Sequence, residues 1–130
     1  MRTVAVTVLS LSVATLVAPS PLAAQRRKGI LAAEEILRAN VGSAYDAVQT
    51  LRPRWLQPPP ELSRQPAPRF PPVSVYVGDV SMGDVEYLRN IPAVTVLELR
   101  WLSPFEAANR FGPTDGQAVI VVTLKPPGRP

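Results

Sequence analysis

The chain has 130 residues, with 14 Lys and Arg against 10 Asp and Glu, a formal net charge of +4, and neither cysteine nor histidine. That length bounds it at one small domain with a modest core. The missing residue types exclude disulfide support, Cys and His nucleophile systems, Ser-His-Asp triads and every zinc site built from thiolate or imidazole.

Met1, Arg2 and Thr3 lead into Val4 to Val17, an apolar run broken only by Thr and Ser, and Ala18-Pro19-Ser20-Pro21-Leu22-Ala23-Ala24-Gln25 follows. This pattern predicts a secretory signal peptide over residues 1–25, cleaved after Ala24 or Gln25. The run falls short of the ~20 apolar residues that a membrane span needs, and small residues and prolines follow at once. With no lipobox cysteine, a lipid-anchored form is not expected. Cleavage leaves a chain from near Arg26 with 13 Lys and Arg against 10 Asp and Glu, because only Arg2 is lost. Arg26-Arg27-Lys28 is the only tight basic cluster and reads as a solvated tail, so no nucleic-acid partner is expected.

Residues 26–52 form an N-terminal helical segment. Good helix formers around Glu34-Glu35 and Ile36-Leu37 predict a short helix over Ile30 to Ala39. Ser43 opens a cleaner one, with a capping hydroxyl, an acidic first turn at Asp46 and apolar Tyr45, Val48 and Leu51 spaced by three. Pro53 stops it, because the residue before a proline is pushed out of the helical region. Trp55-Leu56 then folds back as an apolar lid over that helix.

Eight prolines fall between Pro53 and Pro72, which excludes a helix or interior strand over 53–72 and predicts an extended polyproline-type connection. Val73-Ser74-Val75-Tyr76-Val77 alternates in period two and is β-branched and aromatic, so it reads as a strand. Gly78-Asp79 supplies a turn, Val80-Ser81-Met82 a brief hairpin arm, and Asp84 caps a helix of one or two turns to Leu88, ended by Asn90-Ile91-Pro92.

Thr95 to Leu102 reads as a strand whose residues Leu97, Leu99 and Trp101 share one face, with Glu98 and Arg100 on the other. Ser103-Pro104-Phe105-Glu106 is a complete helix start, with Ser at the cap, Pro at the first helical position and Glu three after the cap. The helix reaches Arg110 or Phe111, and Gly112 takes the left-handed position beyond it. Ala118 to Leu124 is continuously apolar, as expected of a strand covered on both faces. The sixteen residues from Leu102 to Gln117 suffice for a parallel crossover through the helix. The fold expected is therefore α+β: a small mixed β-sheet with short helices packed on it, the helix from Ser43 to Leu51 covering one face. The domain proper spans 73–125, with a tail at 126–130.

Little chemistry emerges from these elements. Gly112-Pro113-Thr114-Asp115-Gly116 feeds a strand rather than a helix N-terminus and so lacks the context of a phosphate cradle. The carboxylate pairs Asp79 with Asp84 and Glu98 with Glu106 have no spacing that sets acid–base work, and Glu106 already has a capping role.

Val75-Tyr76-Val77, Val96-Leu97-Glu98-Leu99, Ser103-Pro104-Phe105-Glu106-Ala107-Ala108, Arg110-Phe111-Gly112 and Gly116 to Lys125 together resemble, in order, the plug domain of TonB-dependent outer-membrane receptors. The likeness covers about Val73 to Lys125; the turn is Gly78-Asp79 where the family has Asp-Gly. No run of alternating membrane strands follows Lys125, so the resemblance implies a stand-alone plug-like module rather than a barrel's plug. The expected function is a non-enzymatic, exported interaction module that contacts an envelope protein in the periplasm or in association with the outer membrane. No cofactor and no metal are expected. The candidate interaction residues are Gly78, Asp79, Gly112, Thr114, Asp115 and Gly116. The alternative is a periplasmic small-ligand carrier, in which those same loops form one rim.

Overall fold

The computed structural model describes residues 14–18, 20, 29–60, 64 and 71–128. Most of the predicted signal peptide, the Arg26-Arg27-Lys28 cluster and nearly all of the Pro-rich stretch beyond Pro60 lie outside the described residues. The strands are β1 (Ile30–Ala32), β2 (Val73–Val77), β3 (Val80–Asp84), β4 (Val96–Leu102) and β5 (Ala118–Leu124). The helices are α1 (Ala33–Ala39), α2 (Ala44–Leu51) and α3 (Pro104–Phe111), with 3₁₀ turns at Pro53–Leu56, Val85–Asn90 and Ala93–Thr95. The strands make one sheet in the order β1-β4-β5-β2-β3, with β5 and β2 parallel and the other pairs antiparallel. A small mixed sheet with short helices packed on it is the α+β class that the sequence predicts.

The centre of the sheet is its most apolar strand. Ala118 to Val122 are all buried, because β5 is covered on both faces. Ala118, Ile120 and Val122 join the main core with Val73, Val75 and Leu99, while Val119 and Val121 join a smaller cluster with Leu102 and Ala107 on the opposite face. Complete burial of a Val or Ile side chain is worth ~1.5–3 kcal/mol, so this strand supplies much of the drive for sheet formation.

The main core lies between the sheet and the N-terminal half of the chain. Ser43 Oγ accepts from the Asp46 backbone N–H at 3.2 Å, as its capping position requires. Capping directs α2 so that Ala44, Ala47 and Val48 are buried, with Tyr45 and Leu51 packed at the margin. Trp55 folds back into the same core, 6% exposed, and Ile36 reaches it from α1. The Ala44 N–H donates to Ile91 O at 2.8 Å and the Ala93 N–H to Gly42 O at 3.1 Å, which ties α2 to the turns that precede β4.

Several expectations need correction. Ile30–Ala32 is a strand paired with β4 through Leu31 and Leu99, so the helix predicted from Ile30 starts only at Ala33. The Pro-rich connection opens with a 3₁₀ turn at Pro53–Leu56, since proline's fixed φ suits the first turn of a short helix. Within β4 the pairing shifts between Val96 and Glu98. This bulge moves Val96 into the core and leaves Leu97 46% exposed, so Leu97 does not share the buried face of Leu99 and Trp101. A single extra residue reverses every side chain before it, which alternation alone cannot anticipate.

The parallel crossover is also overturned, because β4 and β5 are antiparallel neighbours, with Leu102 opposite Val119 and Val96 opposite Leu124. An eight-residue α3 advances only about 12 Å. A seven-residue strand spans about 23 Å. The loop does not make up the difference. It turns back, with the Gln117 N–H donating to Thr114 O at 2.9 Å and Asp115 at φ 51°, so the chain re-enters the sheet where β4 left it.

Candidate interaction surface

The Ser103-Pro104-Phe105-Glu106 start of α3 forms as its residue types dictate. Ser103 Oγ accepts from the Glu106 N–H at 3.3 Å, and Glu106 Oε2 accepts from the Ser103 N–H at 2.9 Å. Glu106 is thereby committed to a capping box. At the other end Gly112 has φ 88° and ψ −166°, a combination open in practice to glycine alone; it is positive in φ as expected, though extended rather than left-handed helical.

The predicted interaction residues do not form one rim. Gly78 follows the end of β2, where its N–H donates to Val122 O at 3.0 Å. Thr114, Asp115 and Gly116 precede the start of β5, which pairs with the start of β2 through Ala118 and Val73. Because β2 and β5 run parallel, the two groups stand at opposite ends of a five-residue ladder, about 16 Å apart along the strands. Gly112, in contrast, directly follows the Arg110-Phe111 end of α3 that reaches β2 and its turn. Thr114 is 8% exposed and its hydroxyl donates to Gln117 O at 3.3 Å, which makes it a turn residue. Asp115 and Gly116 are exposed. Asp79 does meet the α3 end of the other group, with Arg110 Nη2 at 3.6 Å from its Oδ1.

A surface that local pattern does not reveal lies where β4 begins and β5 ends. Leu124 stands opposite Val96, the Lys125 N–H donates to Thr95 O at 2.8 Å, and Lys125 Nζ donates to Val94 O at 3.0 Å. These bonds gather Val94, Leu97 and Leu124 at one end of the sheet, and α1, which carries Leu37, packs against the adjoining Ala93–Thr95 turn. Leu37 is 54% exposed, Val94 63%, Leu97 46% and Leu124 42%. The one signal available in the sequence is that apolar Val94 and Leu97 flank Val96 more densely than strand alternation requires.

The charged groups mostly satisfy one another. Glu34 pairs with Arg38, Glu35 with Arg52, Glu86 with Arg89 and Glu98 with Arg100. Asp46 accepts from the Ser43 hydroxyl, and Asp84 accepts from the Glu86 N–H, as the capping expectation requires. Arg89 also lies over the Tyr45 ring at 3.7 Å, and its hydrogen bond to Glu86 holds the guanidinium above its ordinary value. Among the described residues, no group of three or more Asp and Glu side chains could hold a metal ion, and no helix is long and apolar enough to cross a membrane.

Compared with protein-family models, curated proteins and solved structures, the chain matches none.

Proposed function

We propose that this chain is a non-enzymatic, exported, plug-like module that contacts an envelope protein, in the periplasm or against the outer membrane, through the apolar end formed by Leu37, Val94, Leu97 and Leu124. The observation that carries the reading is that group of exposed aliphatic side chains gathered where β4 begins and β5 ends, whereas the other exposed large apolar residues of the fold, Val80 and Phe105, lie on separate elements. Adjacent exposed apolar groups of this size are a feature of contact sites, whereas single ones are ordinary. Export rests on the apolar leader and the small residues that follow it. The plug-like character rests on the resemblance between Val73 and Lys125.

The non-enzymatic part draws on the carboxylates. Of those described, all but Asp115 hold an arginine partner, a capping role or, for Asp46, the hydroxyl of Ser43, which leaves no opposed pair poised for proton transfer. Envelope fractionation combined with a photo-crosslinking side chain at Val94 or Leu97 tests the whole reading. One discrete adduct in the envelope fraction is expected from these positions, with none from an exposed control position such as Thr50. Retention of the chain in the cytoplasm would defeat export; adducts alike from Thr50 and Val94, or none from Val94, would defeat the surface.

A further inference from the structure

The two faces of the sheet are covered unequally. Leu99, Ile120 and Val122 lie under a continuous layer that includes Ile36, Val48, Trp55, Leu88 and Ile91. On the opposite face α3 lies over Leu102, Val119 and Val121, and Ala107 is its fully buried residue. Two contacts hold the C-terminal end of α3. Phe111 stacks on Tyr76 with ring centroids 4.1 Å apart, and Arg110 meets Asp79 at 3.6 Å across side chains that are 44% and 87% exposed. Tyr76 and Asp79 both belong to the β2–β3 hairpin.

From this arrangement we propose that α3 is a detachable flap, latched to the β2–β3 hairpin by Phe111 and Arg110, which opens without disruption of the sheet and bares the strip of Leu102, Val119 and Val121. The inference rests on packing alone and is independent of the function proposed above.

The flanks of α3 fit this motion. A Cβ placed on Gly112 would meet nothing within 4 Å beyond its chain neighbours, and glycine's wide conformational range lets this position serve as a hinge. Beyond it the return loop is fixed separately, because Gln117 Nε2 donates to Pro71 O at 2.6 Å and Thr114 is buried. The ladder of β4 with β5 uses backbone groups that α3 does not touch. A helix of this length is marginal in water once it leaves its support, so opening also releases its internal hydrogen bonds. Elements with small apolar contacts and exposed polar ties open at lower free energy than the core, in cooperative units.

Native-state hydrogen exchange on the full chain reads the opening directly. The amides of Ala107 and Gly112, bonded to Ser103 O and Ala108 O, report on α3, and those of Ile120 and Val122 report on the sheet. In the wild type the α3 amides are expected to exchange at least about tenfold faster than the sheet amides, with little dependence on low denaturant. Phe111→Ala should accelerate the α3 amides by at least about tenfold more, with the sheet amides unchanged. Should that variant fail to fold, Asp79→Asn carries the test, with an expected two- to about fivefold acceleration confined to α3 that 1 M salt reproduces in the wild type. Concerted exchange of α3 and sheet amides in the wild type would overturn the proposal. So would an Asp79→Asn variant in which α3 exchange is unchanged or the sheet amides accelerate equally.

Discussion

Leu97 and Leu99 lie two residues apart on β4, and the bulge gives them opposite fates. Leu99 is fully buried against Val122 and Leu31, so truncation to alanine leaves a cavity in the main core and should cost ~2–5 kcal/mol. Leu97 is 46% exposed. Its outer carbons contribute ~0.8 kcal/mol each where buried, so truncation at a half-exposed site should cost about 1 kcal/mol. Val96, also fully buried, should fall between them in Val96→Ala. At ~4–8 °C per kcal/mol for a domain of this size, Leu97→Ala should lower Tm by a few degrees and Leu99→Ala by at least about 10 °C. Trp55 and Trp101 both contact the main core, so tryptophan fluorescence follows unfolding in urea and on heating. A constant urea slope across the variants licenses the comparison. Equal losses for Leu97→Ala and Leu99→Ala would refute the bulge and restore simple alternation.

Three further outcomes are expected. Ser103→Ala removes the acceptor of the Glu106 N–H and should destabilise the protein by about 1 kcal/mol, measured by urea unfolding, with Ser103→Asp largely restoring the loss. Trp101 Nε1 is buried with no hydrogen-bond partner among the described residues, so Trp101→Phe should cost less than about 1 kcal/mol by the same assay, because relief of the orphan donor offsets the smaller ring. With no histidine or cysteine in the chain, stability should vary little between about pH 6 and 9. Arg89 adds no slope there: its hydrogen bond to Glu86 raises its folded value above the already strongly basic unfolded one, so its contribution is fully present below the unfolded value and is lost only as the pH climbs through the folded one, far above this window. A melting temperature that changes steeply over pH 6–9 would contradict this.

What was legible in the chain was local. The capping box of Ser103 and Glu106 and the Ser43 cap depend on residues within one turn, and both form as read. The alternation of Val73 to Val77 and the unbroken apolar run of β5 likewise identified their strands. Long-range pairing was not legible. Ile30–Ala32 is too short to show a period, and it is a strand only because Leu99 and its neighbours lie beside it. The antiparallel β4–β5 pairing follows from the turn at Thr114 and Gln117, whose effect on direction cannot be judged from loop length alone. The separation of Gly78-Asp79 from Thr114–Gly116 follows in turn from the parallel β2–β5 ladder. Exposure of Val94 and Leu124 required both the bulge and the end of β5 to be placed.

The position of β5 bears on the order in which the protein can fold. Among the described residues, the β1–β4 pair on one side and the β2–β3 hairpin on the other are joined in the sheet only through Ala118–Leu124, which follows all four in the chain. Until that segment is available, the halves remain unjoined and the surfaces meant for Ile120 and Val122 stay open. Contacts such as Leu31 with Leu99 and Val75 with Ile120 span long stretches of chain, a topology that slows folding. Until β5 is made, the edges of β4 and β2 that it will pair with stay unpaired, so completion of the sheet waits on the last strand of the fold.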